Sequence, residues 1–287
     1  SAASDVYKRQ SYIDFRTLGL LFSLMTVTEG CKGLGIFERS AKFIISKVNT
    51  AFQLSIVLVG LCFFSSMFIT NDVSLLTFVP LTLTALSTLG ESGNKLLIPI
   101  VVLQTIAANL GSMLTPIGNP QNLYLFGVSD MKLEDFLVLM LPFTIVAGAM
   151  LAIADRNVLK TVDYSLLLTF CGFFIFIGNM GRVEIFRSVL SSIINGHELF
   201  IAVAASQIIS NVPCAILLSG FTNKLNALII GTNIGGLGTL IASMASLISY
   251  KQICRSHPHI KGRYFTYFTA ANIAFLAVMA LTVKIAY

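Results

Sequence analysis

The chain has 287 residues, 55% of them hydrophobic and only 11% charged, with a mean hydropathy of +0.84. A soluble domain carries roughly 25% charged residues, so this balance argues against an ordinary soluble enzyme and for an integral membrane protein. The net charge of +6 sits in short segments between apolar runs, where membrane topology explains it better than nucleic acid does.

Residues 1–10, SAASDVYKRQ, are polar and lack the apolar stretch of a signal peptide. They read as a non-native or disordered end, and the natural chain is expected to begin earlier. Apolar runs near the roughly 20 residues needed to span a bilayer follow at about 13–32, 95–127, 132–155, 163–181, 226–250 and 264–286. Two more, about 50–90 and 198–222, are interrupted by polar residues in their middles. Between the first two runs, Ile36, Phe37, Phe43 and Ile44 alternate with Glu38, Arg39, Lys42 and Lys47, which suits an amphipathic helix in the interface. With no Trp in the chain, Tyr alone serves the aromatic belt. Cys31, Cys62, Cys171, Cys214 and Cys254 are scattered and read as small hydrophobes. His197, His257 and His259 lie near charged connectors.

The interrupted runs are either single spans or re-entrant hairpins. Under the hairpin option, one side holds Lys32, Arg39, Lys42, Lys47, Lys95, Arg156, Lys160, Lys251, Arg255, Lys261 and Arg263. The other holds only Lys132, Arg182, Arg187 and Lys224. That asymmetry obeys the positive-inside rule and makes the first side cytoplasmic. The first hairpin then opens to the cytoplasm and the second to the outside.

The two halves resemble one another. ANLGSMLTPIGNPQNL (108–123) overlays TNIGGLGTLIASMASL (232–247) at an offset of 124, pairing Asn109 with Asn233, Gly111 with Gly235 and Thr115 with Thr239. The tips ITND and ISNV pair Asn71 with Asn211 at an offset of 140, and Asp14 pairs with Asp163 at 149. Each unit contributes an odd number of crossings, so the second is expected to be inverted, a signature of secondary transporters. The expected fold is an all-α polytopic membrane protein of two inverted repeats. Repeat 1 covers 11–155, with a re-entrant hairpin at about 50–92 and a broken helix at about 95–127. Repeat 2 covers 156–287, with the hairpin at about 198–222 and the broken helix at about 226–250.

The tips Thr70-Asn71-Asp72 and Ser210-Asn211-Val212-Pro213 place free helix ends at membrane depth, where backbone groups need protein or water as partners. Carbonyl and amide oxygens suit a hard cation, and helix N-terminal amides suit an anion. In the first break, Pro116, Gly118 and Pro120 forbid a continuous helix, and Thr115, Asn119 and Asn122 supply oxygens. In the second, Gly235, Gly236 and Gly238 precede Thr239, Ser243 and Ser246, and a gentler unwinding is expected. Two tips and two breaks would form one polar chamber. The intramembrane Asp72 binds a proton, ligates a cation or holds a structural hydrogen bond. Glu29 reads as interfacial.

These residues resemble the ion transporter superfamily, which includes divalent anion–sodium symporters, citrate–metal symporters and arsenite pumps. Its symporters carry Ser-Asn-Thr at each tip, here Thr70-Asn71-Asp72 and Ser210-Asn211-Val212. They carry a Gly-Thr-Pro-Pro-Asn-like break, here Gly118-Asn119-Pro120-Gln121-Asn122 and Ala242-Ser243-Met244-Ala245-Ser246. The resemblance implies a scaffold domain, an elevator-type transport domain and a homodimer, and a helix or helices before residue 13. It implies two cation sites, Asn71 with Gly118 and Asn211 with Ala242, while Asp72, Asn119, Val212 and Ser243 face the substrate. The substrate-binding set is therefore Thr70, Asn71, Asp72, Asn119, Pro120, Asn122, Ser210, Asn211, Val212 and Ser243. The cation-coupling set is Asn71, Asp72, Thr115, Gly118, Asn211, Thr239 and Ala242. Asp72 and Val212 depart from the threonines of the symporters, and an acid at the first tip is similar to the arsenite-pump and sodium–proton antiporter branches.

The expected function is secondary transport of a small anion coupled to Na⁺ or H⁺, in a bacterial inner membrane, with no cofactor and no nucleic-acid partner. The alternative is proton-coupled efflux of arsenite or antimonite, or sodium–proton antiport. An intramembrane enzyme would need a nucleophile with a base or a metal pair, and no His lies within a span. A passive channel would not need paired hairpins.

Overall fold

The computed structural model describes residues 50–154 and 184–286, together with Gly19, Ser23, Gly30, Gly33–Gly35 and Arg39. The expected span at 163–181, most of 13–32, Glu29, Asp14 and most of the amphipathic stretch lie outside the described residues.

Eleven α-helices run through the described residues, which contain no strand. In the first half they are α1 (Ala51–Ile69), α2 (Asn71–Ser87), α3 (Gly90–Gly111), α4 (Pro120–Val128) and α5 (Leu133–Ala154). In the second they are α6 (Glu184–Ile194), α7 (Glu198–Ile209), α8 (Asn211–Ser219), α9 (Leu225–Ile234), α10 (Met244–Ser256) and α11 (Lys261–Ala286). Gly93–Leu114, Leu133–Met150 and Pro258–Ile285 are long and apolar enough to cross a bilayer. The pair Ser188–Ile194 and Glu198–Ile209, bent by 113°, passes the same test jointly.

α3 is the central element. It packs on α1, α2, α5, α10 and α11, and its apolar window is 89% buried against 28% for that of α5. The outer helices present large apolar side chains instead: Val138 and Ile145 on α5, Ile208 on α7, Leu281 and Ile285 on α11. An apolar exterior around a core that holds Gln104, Thr105 and Asn109 is what a lipid solvent requires, because α3's polar groups find partners only inside the protein.

Two helix pairs are each joined by a single non-helical residue. α1 and α2 meet at Thr70 (φ 69°, ψ 150°), and α7 and α8 meet at Ser210 (φ 71°, ψ 153°). Positive φ on a residue with a Cβ ends one helix and turns the chain into the next. The legs are tied alike in both pairs. Ser74 Oγ donates to Cys62 O at 3.1 Å, and Cys214 Sγ, 140 positions later, donates to Ala202 O at 3.4 Å. The first pair ends earlier than its expected bound at 92, because Gly90 (φ 57°) turns the chain directly into α3.

Each first leg approaches the end of the following long helix closely, and the close approach requires glycine. A Cβ on Gly111 would lie 2.1 Å from Phe63 O and 2.6 Å from Ser66 Oγ. A Cβ on Gly235 would lie 2.8 Å from Ser206 Oγ. Ser66 and Ser206 are themselves 140 positions apart. Gly111→Ala is therefore expected to cost about 3 kcal/mol, since a backbone carbonyl blocks the added methyl. A lowered thermal midpoint of the purified protein checks this, and a midpoint within a degree of wild type, about the size of a neutral surface change, contradicts it.

Candidate functional site

The helices that follow the two pairs, α3 and α9, both end in a break. α3 stops at Gly111, and Ser112–Leu114 and Pro116–Gly118 form 3₁₀ turns on either side of an extended Thr115 (φ −117°). An extended Asn119 (φ −156°) then caps α4, its Oδ1 accepting from Asn122 N at 2.9 Å. α9 stops at Ile234, and the chain stays irregular through Gly238 (φ 108°) to a 3₁₀ turn at Leu240–Ala242. An extended Ser243 (φ −141°) then precedes α10. Pro116–Gly118 and Leu240–Ala242 are 124 positions apart, as are the starts of α4 and α10. The second break is not the gentler one. It has one 3₁₀ turn where the first has two, because three glycines in four residues give the backbone nothing to hold it helical.

Carboxamide side chains satisfy the unwound backbone of both breaks, Asn119 Nδ2 donating to Ser112 O at 3.3 Å. Asn122 Nδ2 donates to Met113 O at 3.2 Å and Thr115 O at 3.3 Å. Gln207 Nε2 donates to Gly235 O and Leu237 O, both at 2.9 Å, and Gln207 Oε1 accepts from Thr239 N at 2.9 Å. The threonines fasten each break to the first helix of the pair in its own half. Thr115 Oγ1 donates to Met67 O and Thr239 Oγ1 to Gln207 O at 3.1 Å, each acceptor three residues before a tip.

Four helices begin at one point. Asn71 and Asp72 of α2, Pro120 and Gln121 of α4, Asn211 and Val212 of α8, and Met244 of α10 with its cap Ser243 line a single cavity. Every lining residue is a cap or lies in the first two positions of a helix. The cavity measures about 10 Å³, room for roughly one water-sized sphere. Each N-terminus directs the positive end of its helix dipole, about half a charge, at the cavity, although the amides of Asp72, Val73 and Asn122 already donate to side-chain oxygens and Pro120 and Pro213 carry none. No Lys, Arg or His lines the cavity, so its positive character comes from backbone and its one formal charge from Asp72.

Behind the cavity two asparagines join the halves crosswise. Asn109 Oδ1 accepts from Asn71 Nδ2 at 3.0 Å and from Ser243 Oγ at 2.9 Å, and Asn109 Nδ2 donates to Ser246 Oγ at 3.4 Å. Asn233 Oδ1 accepts from Asn119 Nδ2 at 3.0 Å, and Asn233 Nδ2 donates to Asn122 Oδ1 and, at 2.7 Å, to Ile229 O. Asn109 and Asn233 are 124 positions apart, as are Asn119 and Ser243, and Asn122 and Ser246. Each asparagine thus holds the break of the other half, a reciprocal contact of the kind a two-fold axis produces.

Residues 5–155 match the family described as citrate transporter. The chain belongs to the citrate transporter family. It is 31% identical to the uncharacterized transporter MJ0456 of Methanocaldococcus jannaschii, with 83% of this chain and 81% of that one covered. It is 27% identical to the inner membrane protein YbiR of Escherichia coli K12, with 83% and 80% covered. A shorter match, 30% identical, spans 49% of this chain and 28% of the silicon efflux transporter LSI3 of Oryza sativa.

In this citrate transporter family member, six residues singled out from sequence meet at the cavity: Asn71, Asp72, Pro120, Asn211, Val212 and Ser243. Thr70 and Ser210 sit one residue away at the tips, where Thr70 Oγ1 accepts from Val73 N and Ser210 Oγ donates to Ala242 O, both at 3.4 Å. Asn119 and Asn122 are buried behind it in the asparagine network. Thr115 and Thr239 lie off the cavity with their hydroxyls engaged in the leg contacts. Gly118 is buried against Ser112 O. Sequence reasoning missed Asn109 and Asn233 as site residues, although their pairing in the repeat was visible. It also passed over Gln121, 1% exposed, whose Oε1 has no hydrogen-bond partner among the described residues. Its counterpart at an offset of 124 is Ala245.

Proposed function

We propose that this protein is a secondary transporter that moves a small anion through the cavity at the four helix N-termini, coupled to Na⁺ or H⁺ through Asp72. The observation that carries the reading is the convergence itself: the positive ends of four helix dipoles favour an anion without needing a basic side chain, and one carboxylate beside them links anion binding to a cation. A cavity of about 10 Å³ fits an occluded state, and opening it requires the tips to move from the breaks, as alternating access demands. The repeated tip geometry and the reciprocal asparagine contacts support two repeats related by a two-fold axis. An axis in the membrane plane makes them inverted, the tips re-entrant and an elevator motion available. A homodimer in a bacterial inner membrane accords with this reading.

Asp72 favours a second reading, proton-coupled efflux of a weakly acidic species such as arsenite, because a carboxylate can carry the proton itself. The relatives named putative transporter arsB and silicon efflux transporter accord with that branch. One experiment separates the two. Thermal unfolding of the purified protein is followed with citrate, sulfate, phosphate and arsenite, each in Na⁺ or choline and at two pH values. Stabilisation by one anion only in Na⁺ supports the symporter, and a pH response without a Na⁺ effect supports efflux. Asn71→Ala and Asn211→Ala are each expected to abolish transport of the stabilising anion while expression is retained. Normal transport in both variants would refute the site.

A further inference from the structure

The link between α10 and α11 gathers six basic side chains within thirteen residues: Lys251, Arg255, His257, His259, Lys261 and Arg263. All are exposed except His257, which is half-buried. From residue 199 to residue 287 the sequence contains no Asp or Glu. The described residues give none of the six a carboxylate partner, the ion pair of this half being Lys224 with Glu198 at 3.5 Å.

Position makes part of this cluster unfavourable in isolation. Arg255 lies in the last turn of α10, where a cation is welcome. Lys261 and Arg263 lie at the start of α11, whose first turn holds no acid and where the positive end of the helix dipole repels a cation. An external anion among these groups is attracted by each cation and by the start of α11, and so offsets the unfavourable part. The His257 and His259 rings stand 6.0 Å apart at 64°, adding ring nitrogens to the same rim.

The surroundings say which anion. The cluster opens the span Pro258–Ile285, so it lies at the end of a membrane-crossing helix. Phe265 and Tyr267, 50% and 42% exposed, follow within the next turn of α11. Basic groups at a helix end, next to outward aromatic rings, match a phosphate headgroup above its acyl chains. We propose that the α10–α11 link is a binding surface for anionic phospholipid headgroups. α10 carries this surface at its C-terminal end and the transport cavity at its N-terminal end, about 18 Å away at 1.5 Å per residue. A bound headgroup would therefore hold the outer end of a helix that lines the cavity.

The chain has no Trp, so unfolding is read with a thiol-reactive dye through the buried Cys62 and Cys214, in a Cys254→Ser background because Cys254 is half-exposed and adjoins Arg255. The purified full chain in neutral detergent is titrated with phosphatidylglycerol, phosphatidylcholine or inorganic phosphate. Phosphatidylglycerol is expected to raise the midpoint saturably, and the other two are not. Combining Lys251→Gln, Arg255→Gln, Lys261→Gln and Arg263→Gln is expected to weaken the apparent affinity for phosphatidylglycerol by about fivefold per residue, with the midpoint in phosphatidylcholine unchanged. Lys95→Gln with Lys132→Gln, equal in kind but elsewhere, keeps the wild-type response. If the fourfold variant does not fold, Lys261→Gln with Arg263→Gln changes only two exposed side chains and is expected to lose about 25-fold. Equal shifts with the two lipids, a phosphate shift equal to the lipid's that the fourfold variant loses, or wild-type affinity in the variants each overturn the proposal. A phosphate shift that the fourfold variant keeps belongs to the transport cavity and not to this surface.

Discussion

Asn233→Asp is expected to destabilise the protein severely, whereas Asn109→Asp is expected to be tolerated. The two asparagines occupy matching places in the two halves, so sequence alone predicts equal effects. Their bonding differs in direction. Asn109 accepts twice through Oδ1 and donates once, to the Ser246 hydroxyl. An Asp there keeps both accepted bonds, and the Ser246 hydroxyl turns to donate to its second oxygen. Asn233 donates to Asn122 Oδ1 and to Ile229 O, neither of which can reverse. Ile229 O is a carbonyl, and Asn122 cannot flip without losing the bonds of its Nδ2 to Met113 O and Thr115 O. An Asp at 233 therefore sets a buried oxygen against two acceptors. The loss is roughly 3 kcal/mol or more, several degrees of midpoint in a chain of this size. Asn109→Asp keeps three bonds around its added charge and is expected to lose less than half as much. Thermal unfolding of the two variants side by side tests this, and the reverse order of stability would sink the crosswise arrangement.

That arrangement marks where the sequence stops being legible. The tips were readable because Asn71 and Asn211 recur in apolar runs that otherwise exclude amides, and water-free surroundings make such residues costly unless they have a task. The first break was readable because Pro116, Gly118 and Pro120 cannot share a helix. The second was underestimated: three glycines weaken a helix without forbidding it, and the residue that settles the unwound path, Gln207, comes from another helix 28 positions before Gly235. Thr115 and Thr239 carry hydroxyls of the right kind to hold an ion, yet those hydroxyls bond to carbonyls of the first helix of each pair. Which oxygen of a polar cluster faces the cavity depends on tertiary packing, which spacing along the chain does not encode. Gln121 stood between two residues that were singled out, but nothing in the sequence distinguishes an amide that is bonded from one that is not.

The cavity is two-fold in backbone and lopsided in side chains. Asn71 faces Asn211 and four helix starts surround the space, but Asp72 answers to Val212 and Gln121 to Ala245. Both polar members of these unequal pairs come from the first half. In the proposed function the shared backbone would supply the general preference for negative charge, and the first half the groups that discriminate and couple.

Asp72→Asn tests that division, and its effect is expected to be the largest on function. The substitution preserves shape and removes one negative charge from a space built to attract an anion. Two unit charges about 5 Å apart repel by roughly 3 kcal/mol at an effective dielectric constant near 20. The variant should therefore bind the transported anion more tightly, by tenfold or more. On the proposed mechanism it should also lose what the charge provides: a coupling cation that neutralises Asp72 would admit the anion in wild type, and in Asp72→Asn the anion would enter whether or not the cation is present. The expected signature is tight binding that no longer depends on Na⁺ or on pH, with gradient-driven accumulation abolished. Anion titrations by thermal unfolding, in Na⁺ or choline and at two pH values, read the first part. Uptake into proteoliposomes with and without an imposed gradient reads the second. Cation-dependent binding retained in Asp72→Asn would show that coupling resides elsewhere and that Asp72 holds structure instead.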